Sequence, residues 1–368
     1  MLDEITIQGY KSIQNMDAFK LMKLNVLIGE NGAGKSNFIS FLKTLNSLML
    51  GQFNINGSEN FVARSALFRG SDTSDKIAFS SQFGKIGYCF DIVPSSDELF
   101  FFENESICCN LGSSHDDWRR LGNSMCGKLM LPKKATDNGP DFDSIRILFD
   151  AISSWQFYHF YGSNSSLMKG PHAAESCKHL KGDGSNLGSV LLAMKDNEES
   201  RRYYKEIVDS VQLVMPSFAD FILAPDSENH GTTVSINWRT NCSDCPMQQD
   251  DFSDGMLRFI CLAAVFLQPD PPEMIIVDEP ELGLSVKAID ILSEMIISAS
   301  KKTQIIIATQ FSRLISHFSC EDLVVVKKMM GASSFERLKE KDFSVWLEDY
   351  SLGELWEKNI IQGVAKNE

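Results

Sequence analysis

The sequence predicts an α/β fold with a parallel sheet covered by helices, and two stretches of the chain carry this prediction. Near the start, the apolar run in KLNVLIG is followed by a glycine-rich loop and then by the helical pattern of SNFISFLKTLNSLML. Towards the end, the continuous apolar runs in MIIVDEP, QIIIA and LVVV alternate with helical patterns. Apolar strands that alternate with helices are typical of a parallel sheet buried on both faces.

The N-terminal elements are predicted in the order strand, strand, loop, helix. EITIQGY alternates apolar and polar residues, as a half-buried strand does, and KLNVLIG forms the second strand. The helix after the loop has apolar residues at helical spacing: Phe38, Phe41, Leu42, Leu45 and Met49. Strand, glycine loop and helix form the arrangement that a phosphate-binding loop needs.

The middle of the chain is predicted to hold two different regions. Residues 51–145 contain short aromatic or β-branched runs such as IAFSSQF and IGYCFDIV, which indicates an antiparallel sheet. Residues 146–225 are mostly helical, and one predicted helix ends before Pro216. The apolar positions of that helix share one face: Ile207, Val208, Val211 and Val214. From Ser253 onward, helices and buried strands alternate.

The composition is that of a globular protein. The 368 residues are 43% hydrophobic and 23% charged, and no apolar run approaches the roughly 18 residues that span a bilayer. The start, MLDEITIQGYKS, lacks the layout of a signal peptide, so we expect a cytoplasmic protein without membrane contact. The nine cysteines show no regular spacing that would indicate a disulfide framework, so the simplest interpretation is that they are reduced thiols. The pair Cys242 and Cys245 has no second pair at zinc spacing.

The net charge of −14 argues against a protein that coats DNA by bulk attraction. Any DNA would have to meet a local basic patch. Three pairs of basic residues could form one, or could simply be solvated surface: Arg119 with Arg120, Lys133 with Lys134, and Arg201 with Arg202.

Residues Gly29–Ser36 read GENGAGKS and match the phosphate-loop pattern GxxxxGKS/T. In such a loop the glycines let backbone N–H groups close round phosphates, Lys35 reaches the β and γ oxygens, and Ser36 ligates Mg²⁺. The predicted nucleotide-binding residues are Gly29, Glu30, Asn31, Gly32, Ala33, Gly34, Lys35, Ser36 and Asn37. ATP and Mg²⁺ are the cofactors that this pattern predicts.

Two further stretches carry charge or an exposed helix start. In MIIVDEPE, Asp278 and Glu279 end an apolar strand, where Asp278 would hold the Mg²⁺ shell and Glu279 would act as the base towards water. In FSDGMLRF, Ser253 and Gly255 stand at a helix start, where N–H groups can take an anion or where the serine is an ordinary cap.

The order of these motifs resembles ABC-type ATPase heads of the RecF-like, OLD-like and SMC-like branch. Within it, the chain resembles a family of stand-alone bacterial predicted ATPases along nearly its whole length. The matching stretches are IQGYKSI, GENGAGKSN, WQFYHFYG, GDGSNL, FSDGMLRFICLA, IIVDEPELGL, IIIATQ and WLEDYSLGELWEKN. SDGMLRF and YSLGELWEKN are the most discriminating of these.

The resemblance implies an α/β head with a mixed core sheet, an antiparallel β subdomain and a helical insertion lobe. Residues 1–145 would form the first half of the ATPase lobe, residues 146–240 the helical insertion, and residues 241–368 the part that completes the core.

The resemblance also implies an ATP-dependent homodimer. Ser253 and Gly255 of one copy would close on the γ-phosphate held by the other. Gln310, in ATQFS, would replace the histidine that senses this phosphate in most ABC heads. The chain departs from the family at Ser285 and Val286, where His-Pro is usual, and at Phe311 and Ser312, where Ser-Pro is usual.

Two more segments are weaker candidates. GYKS resembles the loop that brings a basic residue and a hydroxyl near the nucleotide, so Lys11 and Ser12 are secondary candidates, or the stretch is an exposed strand end. Gln156 or His159, in WQFYHF, would occupy the place of the glutamine loop, or the segment is buried aromatic packing.

Three functions remain open at this point. The first is an ATP-driven switch in anti-phage defence that controls a separately encoded effector, such as a nuclease. The second is a repair or recombination ATPase that binds DNA ends or junctions, and the third is an ATP-binding scaffold with little turnover. Because 58 residues follow Gln310 (368 − 310), we expect no nuclease domain after the core.

Overall fold

A computed structural model describes residues 1–52, 63–70, 73–95, 99–111, 117–122, 127–137, 139, 141–160, 172–173, 179–225 and 233–361. The chain divides into two compact units. The first comprises Met1–Trp155 and Cys320–Asp342, and the second comprises Gln156–Ser319 and Phe343–Glu368. Each unit is therefore assembled from two separate parts of the chain.

Strands and helices are distributed along the whole described part of the chain. The strands are β1 (Glu4–Tyr10), β2 (Ile13–Lys20), β3 (Leu24–Ile28), β4 (Ile77–Phe83), β5 (Ile86–Pro94), β6 (Phe100–Cys108), β7 (Trp118–Arg120), β8 (Gln156–Tyr158), β9 (His172–Ala173), β10 (Phe218–Pro225), β11 (Thr233–Thr240), β12 (Ser243–Met247), β13 (Met274–Asp278), β14 (Gln304–Thr309), β15 (Leu323–Met329) and β16 (Ala332–Arg337). The α-helices are α1 (Lys35–Met49), α2 (Ala63–Ala66), α3 (Leu131–Lys134), α4 (Phe142–Ser153), α5 (Leu187–Asp196), α6 (Arg201–Val214), α7 (Asp254–Phe266), α8 (Val286–Ala299), α9 (Ser312–Ile315) and α10 (Leu352–Glu357). Short 3-10 helices lie at Gln249–Asp251, Cys320–Asp322, Glu340–Asp342 and Trp346–Glu348.

The first unit contains the predicted antiparallel sheet. Its strands are hydrogen-bonded in the order β2-β1-β4-β5-β6-β7, and each neighbouring pair is antiparallel. The alternation in β1 buries Ile5 and Ile7 completely, as the sequence pattern predicts. Aromatic rings fill the same core: Phe79 and Phe90, for example, have ring centroids 4.8 Å apart.

The first unit also contains β3 and the hairpin β15–β16. β15 runs parallel to β3, with Leu323 opposite Val26, and β16 runs antiparallel to β15. All five residues of β3 are buried. The helix α1 that follows the glycine loop packs Phe38 against Phe335 of β16, with ring centroids 5.6 Å apart. Strand, loop and helix therefore occur where the sequence predicts them.

The second unit contains three parallel strands. β13 pairs with β14, opposing Asp278 to Ala308, and with β8, opposing Val277 to Tyr158. Every residue of β14 is buried, which agrees with the prediction of continuous apolar strands. Together the two units confirm the predicted α/β class with parallel and antiparallel sheet regions.

The region predicted as mostly helical contains the expected helices and an additional sheet. α6 buries Ile207, Val208 and Val211, while Val214 is half-buried. β10 then begins at Phe218 and pairs with β11, which pairs with β12 and β9. The strand follows Pro216 because the aromatic and branched run from Phe218 favours a pleated, half-buried surface. No helix of the described residues is long and apolar enough to cross a membrane.

Candidate functional site

The glycine loop of the first unit buries the side chain of Lys35 against the loop's own carbonyl groups. The side chain of Lys35 is buried, and its ammonium donates hydrogen bonds to the carbonyl oxygens of Gly29 at 2.6 Å and Glu30 at 3.2 Å. Carbonyl oxygens hold a cation only through their dipoles, so phosphate oxygens would be stronger partners for the same ammonium. The loop therefore has the chemistry of an anion cradle.

The start of α1 offers a second feature that favours an anion. Gly34 is the N-cap with φ 120°, without a side-chain cap hydrogen bond, and the first turn contains no acidic residue. The positive end of this 15-residue helix is thus not neutralised by the first turn. Glu30, Asn31, Gly32 and Ser36 are exposed, whereas Ala33 and Gly34 are buried. Ser36 is exposed, so an ion such as Mg²⁺ can reach it.

The GYKS turn packs directly against α1. Lys11 has a left-handed backbone, with φ 47°, and its ammonium donates to the hydroxyl of Ser40 at 2.8 Å. Ser12 is buried, and its hydroxyl accepts a hydrogen bond from the side-chain amide of Asn37 at 2.7 Å. Both secondary candidates therefore contact the phosphate-loop helix.

The acidic pair of the second unit lies at the end of β13. Asp278 is the last residue of the strand, and Glu279 adopts φ 49°, a left-handed conformation that is uncommon for a residue with a side chain. The backbone N–H of Glu279 donates to the carbonyl of Ala308 at 2.9 Å, which holds this conformation. Both carboxylates are half-buried, so they remain accessible to a ligand. Backbone strain of this kind is concentrated at functional sites.

Polar side chains follow all three parallel strands at the same edge. The register opposes Tyr158 to Val277 and Asp278 to Ala308. Asp278 and Thr309 end their strands and His159 directly follows β8, so all three lie at this edge. His159 and Gln310 are exposed there. Ligands of α/β sheets bind outside the carboxyl ends of the strands. Within this unit the structure thus brings Asp278, Glu279 and Gln310 to one edge, together with His159. In the matching stretch WQFYHFYG, residues 161 and 162 lie outside the described residues.

The aromatic side chains of WQFYHF contribute to packing. Tyr158 and Phe160 are buried, with ring centroids 5.8 Å apart. Gln156 begins β8 opposite Ile275 and is half-buried. The segment therefore forms core with its aromatic residues and reaches the polar edge with His159.

Glu281 is a buried carboxylate that sequence reasoning missed. One of its oxygens accepts a hydrogen bond from the hydroxyl of Thr309 at 2.6 Å, and Thr309 is fully buried. Burial raises the pKa of Glu281 above its ordinary value. The third acidic letter of VDEPE was the signal that could have identified it.

The predicted signature element caps α7 and contacts the turn after Glu281. Ser253 is the N-cap, and its hydroxyl accepts from the N–H of Met256 at 3.2 Å, which is the ordinary capping role. A Cβ atom on Gly255 would lie 2.1 Å from the carbonyl oxygen of Gly283, so only glycine fits there. Arg258 donates to the carbonyl of Leu282 at 2.8 Å.

An open cleft of about 440 Å³ lies beside the start of α7. Its polar wall contains Ser253, Gly255 and Ser285, and its apolar wall contains the side chains of Trp238 and Phe252. These two rings are stacked, with centroids 4.9 Å apart and an interplanar angle of 20°. Ser253 itself is exposed.

The two cysteines at CxxC spacing lie in β12 and directly before it. Cys242 and Cys245 are exposed and form no disulfide bond. No group of three or more His, Cys, Asp or Glu residues that could hold a metal ion occurs within the described ranges. Of the nine cysteines, Cys126 and Cys177 lie outside the described residues.

The three basic pairs do not share one environment. Arg119 forms salt bridges with Asp117 at 2.7 Å and Asp141 at 3.0 Å, so its charge is compensated. Arg202 lies over the ring of Tyr203, 4.5 Å from its centroid. Lys133 and Lys134 end the short helix α3.

Comparison with known families gives a match over the middle of the chain. Residues 135–315 match the family model described as AAA domain, putative AbiEii toxin, type IV TA system. No curated protein matches the sequence significantly.

Comparison with solved structures extends over nearly the whole chain. The Smc head bound to the C-terminal winged-helix domain of ScpA is 14% identical, has a TM-score of 0.57, and is similar over 92% of this chain and 98% of that chain. The Smc head domain with an extended coiled coil from Pyrococcus furiosus, bound to the C-terminal domain of ScpA, is 13% identical with a TM-score of 0.54, over 95% of this chain and 98% of that chain. The chain therefore has the fold of Smc head domains, which is the fold of ABC-type ATPase heads.

Proposed function

We propose that the chain binds ATP with Mg²⁺, hydrolyses it between two copies of the chain, and thereby switches a separately encoded effector protein. The observation that carries the proposal is the buried ammonium of Lys35, which rests on the carbonyls of Gly29 and Glu30 beside the uncapped start of α1. A cation and a helix N-terminus lie close together there, and the first turn of the helix contains no acidic residue. Both features attract an anion such as a polyphosphate.

The donor chemistry of the other residues fits the same ligand. The Ser36 hydroxyl and the Asp278 carboxylate are oxygen donors, which a hard cation such as Mg²⁺ prefers. Bound Mg²⁺ would neutralise charge that develops on the phosphates during transfer. Glu279 would accept the proton of the attacking water, and Gln310 would donate a hydrogen bond without carrying charge.

The dimeric arrangement rests on the start of α7. Ser253 is exposed and Gly255 is half-buried there, so this helix start can be reached from outside the chain. Unlike α1, α7 has an acidic residue in its first turn, the exposed Asp254. We propose that Ser253 and Gly255 contact the nucleotide of a second copy. ATP then acts as a bridge between the two copies, and hydrolysis separates them.

The effector hypothesis is supported by the comparisons. The matching family is described by a putative toxin of a type IV toxin–antitoxin system. The similar Smc heads are seen with a domain of another protein, ScpA, bound to them. A head that dimerises when it binds ATP could control the activity of such a partner. We propose that this control serves anti-phage defence.

The test combines ATP turnover with mass measured by light scattering, with and without ATP and Mg²⁺. We expect the mass of the native protein to double with ATP. Glu279→Gln should keep the doubled mass, with ATP turnover reduced at least a hundredfold. Lys35→Ala should lose ATP binding. Glu294→Gln, an exposed carboxylate on α8, is the matched control and should behave as the native protein. Native turnover in Glu279→Gln would overturn the assignment of the base.

The same experiment separates the other two functions. Turnover that double-stranded or single-stranded DNA stimulates, and that rising salt suppresses, would replace the switch with a DNA-repair ATPase. Binding of ATP without measurable turnover in the native protein would leave a scaffold. A mass that doubles with ATP, together with ATP turnover that DNA does not change, would support the switch.

A further inference from the structure

Ser333 connects the phosphate loop to a strand 300 residues further along the chain. It lies in β16, is only 4% exposed, and places its hydroxyl oxygen 2.5 Å from the carbonyl oxygen of Ala33. The same hydroxyl is hydrogen-bonded to the hydroxyl of Ser12 at 2.7 Å. The backbone N–H of Ser333 also donates to the carbonyl of Ser12 at 2.7 Å.

Asn37 extends these contacts into one polar cluster, which comprises Ser12, Ala33, Asn37 and Ser333. The amide of Asn37 donates to the hydroxyl of Ser12 at 2.7 Å. Each serine has a single hydroxyl proton, so each hydroxyl can donate only one hydrogen bond. If Ser333 donates to the carbonyl of Ala33, the bond between the two serines must be donated by Ser12. In that arrangement each serine oxygen accepts one hydrogen bond and donates another.

Close packing accompanies the hydrogen bonds. A Cβ atom at Gly34 would lie 2.1 Å from the hydroxyl oxygen of Ser333 and 2.9 Å from that of Ser12. The cluster therefore lies in contact with the loop backbone and fills the space that a side chain at position 34 would need.

The planarity of the peptide bond gives this contact a direction. In a trans peptide the C=O and the following N–H point to opposite sides. A carbonyl of Ala33 held towards Ser333 therefore turns the N–H of Gly34 away from it. In a phosphate loop such N–H groups contact the phosphates.

We infer that Ser333 is a positioning residue for nucleotide binding, because it fixes the peptide between Ala33 and Gly34. The inference rests on the proposed ATP binding. It also gives Ser12 a different role from the sequence-based candidate role: Ser12 acts through the cluster and does not contact the nucleotide. Lys35 and Ser36 remain the residues that touch it.

The test compares Ser333→Ala with Ser334→Ala, the exposed neighbour on the same strand. Dissociation constants for a fluorescent ATP analogue and steady-state kinetics are measured for both variants and for the native protein. We expect Ser333→Ala to raise the dissociation constant and KM about tenfold, the equivalent of about 1.4 kcal/mol, with kcat within about twofold. Ser334→Ala should match the native protein.

A merely structural role predicts a different pattern. It would lower the melting temperature and the active fraction, so that kcat falls while KM stays unchanged, and this result would overturn the inference. Ser12→Ala keeps the test available if Ser333→Ala does not fold. The double variant should show less than the sum of the two effects, because both act on one cluster.

A failure of the proposed function would look different again. The native protein and Ser334→Ala would then both fail to bind the analogue. Hydrogen exchange of the backbone amides of residues 29–36, which requires no nucleotide, then tests the role of the cluster. We expect these amides to exchange faster in Ser333→Ala than in Ser334→Ala. Equal exchange in the two variants would overturn the positioning role.

Discussion

Glu281 accepts a hydrogen bond from the buried hydroxyl of Thr309 at 2.6 Å, although 28 residues separate the two in the chain. The oxygen of the same hydroxyl accepts the N–H of Phe311 at 3.0 Å. One hydroxyl thus joins the turn after Asp278 and Glu279 to the segment that carries Gln310. The second carboxylate oxygen of Glu281 has no hydrogen-bond partner among the described residues.

The burial of Glu281 predicts a pH dependence of stability. Because burial raises its pKa above the ordinary 4.5, the folded chain keeps a proton that the unfolded chain has lost, and the free energy of unfolding falls as pH rises through this window. Glu281→Gln does not titrate and keeps an oxygen for Thr309. The free energy of unfolding of this variant, relative to that of the native protein, should therefore rise by about 1.4 kcal/mol for each unit by which the folded state raises the pKa of Glu281. The rise begins above pH 4.5 and is complete once the pH exceeds the pKa of Glu281 in the folded protein. Chemical denaturation at several pH values measures this gain, and a profile parallel to that of Glu294→Gln would contradict it.

Thr309→Val should slow turnover without weakening nucleotide binding. Valine keeps the shape of the side chain but leaves the Glu281 carboxylate and the Phe311 N–H without their shared partner, at a cost of about 1–3 kcal/mol. We expect single-turnover hydrolysis to slow about tenfold, because the segment around Gln310 loses its fixed position. Thr309→Ser retains the hydroxyl and is the control. Equal rates in the two variants would show that the hydroxyl has no part in hydrolysis.

Gly255→Ala should separate ATP binding from ATP-dependent dimerisation. The added methyl group would lie 2.1 Å from the carbonyl oxygen of Gly283, so the start of α7 must move away from the turn, at a cost of about 1–3 kcal/mol. We expect the doubling of mass with ATP to be lost while the dissociation constant for ATP stays within about twofold. Gly139→Ala is a matched control, because a methyl group at Gly139 meets open space. Full doubling in Gly255→Ala would exclude the proposed role of this helix start.

Gly353→Ala should test whether the C-terminal tail supports the segment after Gln310. A methyl group at Gly353 would lie 2.1 Å from the carbonyl oxygen of Ser312, which begins α9, and 2.2 Å from the hydroxyl oxygen of Ser316, which caps its end. Alanine favours the helix itself, so α10 persists and only its packing on α9 is lost. We expect kcat to fall about threefold or more with unchanged ATP affinity. Glu348→Ala, exposed and just before α10, is the control, and native kcat in Gly353→Ala would rule out the support role.

The parts of the fold that the sequence predicts are those whose pattern is local. β3, the loop from Gly29 to Ser36 and α1 are consecutive, so apolar spacing and glycine positions are sufficient to recognise them. The continuous apolar letters of β13 and β14 are equally local. β8 has only three residues, which is too short for a periodic pattern, and it is a strand because Ile275 and its neighbours supply the pairing partner.

The contacts that the sequence does not predict are long-range. Nothing in the letters of β16 distinguishes Ser333, which contacts the phosphate loop, from Ser334, which is exposed. Thr309 was visible in IIIATQ, but its bond to Glu281 depends on the register of β13 and β14. The tail stretch YSLGELWEKN was recognised as a motif, and the packing of Gly353 on Ser312 gives it a structural reason.

The pairing of β3 with β15 has a consequence for protein synthesis. A growing chain exposes β3 and the glycine loop early, yet β15 and β16 leave the ribosome only after residue 337 has been added. Until then Ala33 lacks its contact with Ser333, and one edge of β3 lacks its strand partner. Prematurely terminated chains therefore lack the contact that holds the glycine loop, so the order of translation would restrict the proposed ATP binding to chains that have passed this point.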